Sequence, residues 1–207
     1  DSKISSENKM KKIILTLLIL FLIPLTTKGA TFGYTSVGGT GGYFNNHGII
    51  IACYFNLPDN AKITSISAYY RPSGTSADGA SAAIYDSSLN KIGQSSGISI
   101  KRTFAWWNFP TDFVIPPGNY WIAKNGRFVS SAENYAYYDA GDANQSLSKS
   151  SSYSSPYTFP SSISSPTYGN NKLSYYATYE PASTYSRNST TTINNGRIQF
   201  NHGRQQR

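Results

Sequence analysis

Few residues in this chain could do catalytic chemistry, and their spacing argues against it. There are two histidines, His47 in the turn-like N-N-H-G and His202 near the C-terminal end, and Cys53 is the only cysteine. No H-E-x-x-H zinc motif is present, and Cys53 with His47 is the sole cysteine–histidine combination in the body of the chain. A histidine in a polar turn is ordinarily solvated rather than poised as a base. Cys53 lies in I-I-I-A-C-Y-F-N-L, in register with Ile49, Ile51, Phe55 and Leu57, and no basic neighbour lowers its pKa. It reads as a small buried hydrophobe. One cysteine allows neither an intramolecular disulfide nor a zinc cluster. A glycosidase pair of carboxylates could come from distant strands, but the acids here mostly stand in turns. The expectation is a protein that is not an enzyme.

The best polar cluster is Asp139, Asp142 and Asn144 in D-A-G-D-A-N. Oxygen ligands on a glycine-bearing loop suit calcium, a hard cation, and calcium is the one cofactor the sequence suggests. The spacing matches no EF-hand and supplies too few ligands alone. A plain turn, with Asp and Asn bonding to the backbone, is the competing reading.

Aromatic residues are the remaining chemical resource: 17 tyrosines, 10 phenylalanines and 3 tryptophans in a chain with 14% charged residues. A β-sandwich buries aromatics, so Trp106, Trp121 and the inward tyrosines are expected in the core. Successive strand residues point to opposite faces, however. Trp106 and Trp107 therefore cannot both be core unless two layers cover their strand, and the same holds for Tyr69-Tyr70, Tyr137-Tyr138 and Tyr175-Tyr176. Some rings must face outward, where they can stack on sugars or anchor a protein partner. The candidate ligand-binding residues are Trp107, Tyr137 and Tyr138, with Tyr153 and Tyr157 from the Ser-, Tyr- and Pro-rich segment 145–171. That segment is too long for an ordinary connection and too aromatic for a disordered linker, so it reads as an ordered surface loop.

The elements that would position these rings are strands. Short apolar or alternating runs recur between turn signals: 48–57, then 61–70 with Ile63 out of register and a bulge or the end of the turn expected there, then 81–86 and 92–95 as a hairpin. Phe113 to Asn125, F-V-I-P-P-G-N-Y-W-I-A-K-N, turns through Pro116, Pro117 and Gly118 into a strand on which the others are expected to pack. Lys172 to Tyr179 alternates cleanly and closes the set. The fold class expected is all-β, a single antiparallel β-sandwich over 31–180.

The flanks differ from this body. Met10-Lys11-Lys12 followed by the apolar run Ile13 to Leu25 predicts a secretory signal peptide within residues 1–30, too short an apolar run to span a bilayer. Residues 181–207 turn to Ser, Thr, Asn and Arg and read as a disordered, polar, basic tail. The net charge of +8 is concentrated in these ends. Residues 31–180 hold nine basic and eight acidic residues, which argues against a nucleic-acid partner. A secreted or cell-surface location without a membrane span in the mature chain is expected.

The order T-F-G-Y-T-S-V-G-G, F-N-L-P-D-N-A-K-I-T-S-I-S-A-Y, I-P-P-G-N-Y-W-I-A, Y-Y-D-A-G-D-A-N-Q and N-K-L-S-Y-Y-A-T-Y, from Thr31 to Tyr179, carries a further indication. It resembles jelly-roll-like β-sandwich modules of secreted and cell-surface proteins of bacteria and archaea, and of phage or virus structural proteins. The resemblance implies a fold and no particular activity. Two functions follow as expectations. The first is a non-catalytic module binding carbohydrate, a polysaccharide or surface glycan, through exposed aromatics. The second is a structural subunit of a surface layer, filament or virion, whose partners are copies of itself.

Overall fold

The computed structural model describes residues 29–44, 49–72, 78–101, 103–127, 134–150, 158–181, 192–194 and 197–199. Every regular element among them is a β-strand, and no helix is long and apolar enough to cross a membrane. Two antiparallel sheets face each other, as expected of a β-sandwich. The front sheet contains β1 (Ala30–Gly33), β2 (Thr40–Phe44), β4 (Ala61–Pro72), β8 (Ala105–Ile115), β10 (Asn134–Ala140), β13 (Asn171–Leu173) and β14 (Tyr175–Pro181). The back sheet contains β3 (Ile49–Leu57), β5 (Asp78–Asp86), β6 (Lys91–Gln94), β7 (Ile98–Ile100), β9 (Gly118–Arg127), β11 (Ser146–Ser150) and β12 (Thr167–Gly169). Residues 1–28, where the signal peptide is expected, lie outside the described residues. Within 181–207, Thr192–Asn194 and Arg197–Gln199 pair as a separate ribbon, β15 and β16.

β4 is the hub of the front sheet. Its 12 residues pair with β8 along one side. Along the other side they pair first with β14, up to Tyr175 opposite Ala68, and then with β10, from Ala136 opposite Tyr70. Register shifts between Ile63 and Ser65 against β8, and between Thr178 and Tyr179 against β14, place the expected bulge at Thr64. The extra residue lets Ile63 and Ile66 both enter the core despite their odd spacing, at 0% and 1% exposure.

Pro116 and Pro117 make the corner between the two sheets. β8 ends at Ile115 in the front sheet, β9 starts at Gly118 in the back one, and the Tyr120 hydroxyl donates to the Pro116 carbonyl at 2.9 Å. Pro110 sits inside β8, which among the described residues pairs with β4 alone, and such an edge strand is where a sheet tolerates proline. β9 is the central back strand, between β3 and β5.

The main core joins Ile63, Ile66, Tyr70 and Phe109 of the front sheet to Cys53, Phe55, Ile84 and Ile122 of the back one. A second apolar cluster covers the far side of the back sheet, where Ile50, Ala52, Tyr85, Trp121 and Ala123 meet Phe159 and Ile163. These two come from 158–166, a strap fastened by the Ile163 amide on the Leu89 carbonyl (3.0 Å), the Lys91 amide on the Ser161 carbonyl (2.7 Å) and the Tyr85 hydroxyl on the Pro160 carbonyl (3.0 Å). Burying Phe159 and Ile163 contributes about 1.5–3 kcal/mol each, against the entropy of ordering the strap. The back sheet is thus covered on both faces. Among the described residues nothing lies over the outer face of the front sheet.

Candidate functional site: an aromatic face

Four aromatic doublets stand on four front-sheet strands, and each splits across the sheet. Tyr70, Trp107, Tyr138 and Tyr175 pack into or against the main core. Tyr69, Trp106, Tyr137 and Tyr176, their sequence neighbours, are half-buried and meet one another on the outer face. The pleat alone produces this division. Pairing then brings the outward rings together, because Trp106 stands opposite Tyr69.

The rings form one continuous row. Tyr176 lies 4.9 Å from Trp106 between centroids, Trp106 5.5 Å from Tyr69, and Tyr69 5.7 Å from Tyr137. Phe104, just before β8, lies 5.2 Å from Tyr137 and 5.4 Å from Tyr135. Interplanar angles of 59° to 78° at these five contacts are the tilted and edge-to-face arrangements that ring quadrupoles favour. Glycine makes room at one end. A Cβ on Gly41, which pairs with Tyr137, would come within 2.3 Å of the Tyr135 hydroxyl. The Arg71 guanidinium caps that end, 4.7 Å from the Phe104 centroid.

The expected site residues are distributed differently from this row. Tyr137 belongs to it. Trp107 and Tyr138 point the other way, and the Trp107 Nε1–H donates to the Tyr70 carbonyl at 3.1 Å. Tyr153 and Tyr157 lie outside the described residues. Trp121 is buried as expected, but beneath the strap rather than in the main core. Tyr69, Phe104, Trp106, Tyr135, Tyr176 and Arg71 were not singled out as site residues. The doublets are the signal that points to three of these rings, Tyr69, Trp106 and Tyr176.

The polar cluster resolves into turn and strand-end contacts. Asp139, at the end of β10, accepts the Tyr34 hydroxyl on Oδ2 and the Gly39 amide on Oδ1 at 2.7 Å. The Tyr34 bond, then the Gly39 amide and the charge of Lys172, hold its carboxyl below the usual range, with slight burial opposing. The Asp142 amide donates to Gln145 Oε1 at 2.9 Å, and Asn144, at φ 61°, donates its amide to Asn170 Oδ1 at 3.1 Å. Among the described residues no three His, Cys, Asp or Glu side chains gather as metal ligands.

Two nucleophile types are accounted for as well. Gly93-Gln94-Ser95-Ser96-Gly97 has the G-x-S-x-G spacing of a nucleophile elbow. Ser95 is buried rather than presented on an elbow, and its Oγ accepts the Ala82 amide at 3.0 Å. Cys53 is buried as expected, and burial pushes its thiol up to about 12. No protein-family model matches this chain, and no curated protein is similar to it in sequence.

Proposed function

We propose that the chain is a secreted, non-catalytic, jelly-roll-like β-sandwich module that binds carbohydrate on the outer face of its front sheet. The observation that carries this reading is the shared fate of the four doublets. Four strands each spend one aromatic on the core and place its neighbour on the same outward row. Polar residues would solvate that face at no cost in burial, so a contiguous ring surface there calls for something to cover it. Rigid rings with few rotatable bonds suit the C–H faces of sugars and lose little entropy on binding.

A glycan and polysaccharide screen on the whole chain tests the reading, repeated with Trp106→Ala and Tyr69→Ala. Binding by the parent and its loss in both variants supports it. Silence across the screen, or binding indifferent to both substitutions, removes the aromatic face as the site.

The second reading, a self-assembling structural subunit, draws on β1, which pairs with β14 alone among the described residues. An open strand edge can add a strand from another copy. Light scattering separates the two, since polymer without glycan binding favours assembly.

A further inference from the structure

The aromatic row is uncharged except at one end, where a cation meets no acid among the described residues. Arg71 leaves β4 on the outer face beside Tyr69, opposite Tyr135, with its guanidinium 4.7 Å from the Phe104 centroid. Its Nε is buried, and no acceptor meets it among the described residues. Two acids of the front sheet are engaged elsewhere. Asp139 is held by Tyr34 and Gly39. Asp112 pairs with Lys62 at 3.0 Å, nine residues back along β4 from Arg71, or about 30 Å at strand rise. A guanidinium with a buried, unpartnered Nε–H is an anion site in waiting, held in place by its cation–π contact with Phe104. The planar fork of donors matches a planar carboxylate in two parallel bonds.

Resting on the carbohydrate reading, we infer that the ligand is an acidic polysaccharide of uronic-acid type. Its sugar faces lie on Trp106, Tyr69 and Tyr137, and one carboxylate meets Arg71. The carboxylate supplies the acceptor that Arg71 lacks, and the ring surface excludes water from the pair, which strengthens it.

The test titrates the whole chain with hexasaccharides of glucuronate, galacturonate and mannuronate, each beside its methyl ester, which keeps the ring and removes the charge. A charge-assisted bidentate bond predicts at least one acid binding about tenfold to a hundredfold tighter than its ester. Arg71→Gln is expected to erase that difference while ester binding persists. Equal affinity of acid and ester in the parent overturns the acidic assignment and leaves the carbohydrate reading standing. So does a preference that survives Arg71→Gln. Failure of every acid, every ester and the neutral glycans of the screen overturns both.

Discussion

Trp106 and Trp107 are neighbours in β8, and the front sheet runs between their rings. Trp107 faces inward and donates its Nε1–H to the Tyr70 carbonyl at 3.1 Å, whereas Trp106 lies 4.9 Å from Tyr176 on the outer face. Opposite consequences are expected for the same substitution at the two sites. Trp107→Ala opens a cavity and is expected to cost about 2–4 kcal/mol in urea denaturation. Trp106→Ala removes two ring contacts, about 1–2 kcal/mol, but is expected to weaken glycan binding by about 2 kcal/mol, roughly thirtyfold. Equal stability losses with unchanged binding would contradict the assignment of the two faces.

The strap over the back sheet is held by two plugs and is expected to come loose without them. Phe159→Ala removes a ring that is 2% exposed and packs 6.2 Å from Tyr85. Its loss is expected to favour strap opening by about 3 kcal/mol. Hydrogen exchange should accelerate at the Ile163 amide, which bonds the Leu89 carbonyl, while Ile122 in β9 stays protected. Uniform acceleration at both would show that the strap and the sandwich open as one unit.

Two adjacent glycines between β1 and β2 should answer differently to alanine. A Cβ on Gly38 would lie 2.3 Å from the Tyr138 backbone, whereas on Gly39 its nearest neighbour is Asp139 Oδ1 at 3.5 Å. Gly38→Ala therefore forces the loop off β10 and also disturbs the amide that bonds Ser174 Oγ at 3.0 Å. Thermal melts are expected to show a drop of several degrees for Gly38→Ala and little change for Gly39→Ala, given that about 1 kcal/mol shifts Tm by roughly 2–8 °C.

The Tyr34 and Asp139 pair predicts an acid-side dependence. The folded carboxyl titrates below its unfolded value, with the Tyr34 hydroxyl as the largest cause. A depressed acid stabilises the fold above its unfolded pKa, and that stability is lost as pH falls through the folded one. Tyr34→Phe is expected to raise the Asp139 midpoint in a carbon-detected NMR titration and to flatten the stability gain between about pH 3 and 5. An unmoved midpoint would assign the shift to the Gly39 amide instead.

Cys53 offers a probe of global opening. Its thiol is buried and pushed up to about 12 by that burial. Thiol reagents at pH 8 are expected to label it only through unfolding, so the rate should rise with urea in parallel with loss of structure. Fast labelling of the native protein would reveal local access to the core.

Much of the fold was legible because strands leave periodic traces. Ile63 standing out of step with Ile66, Ala68 and Tyr70 marks a bulge or a turn end, which the register shift at Thr64 decides, and the lost donors of Pro116 and Pro117 mark a turn without telling that it joins two sheets. The site was half legible. The doublets required one ring of each pair to leave the core, but alternation has no sign: it separates Trp106 from Trp107 without saying which faces in. The choice is made by strand pairing across long sequence separations, which no local pattern encodes. The same limit hid the covering of the back sheet. Trp121 reads as ordinary core until the strap, 38 residues further on at Phe159, is seen to lie over it.

The strand that completes the front sheet comes last in the sandwich and sits in its interior. β14 lies between β1 and β4, so that Thr178 has Thr31 on one side and Ser65 on the other. A chain growing from its N-terminus holds β1 and β4 with a vacant place between them until residues 175–181 are made. Pairing Ile66 with Ala177 then closes a loop of about 110 residues, an entropic step that delays folding rather than weakening the product. Tyr176 rides on that strand, so the outer aromatic row is complete only once residues 175–181 have been made, and a chain stalled short of them lacks the ring that stands 4.9 Å from Trp106.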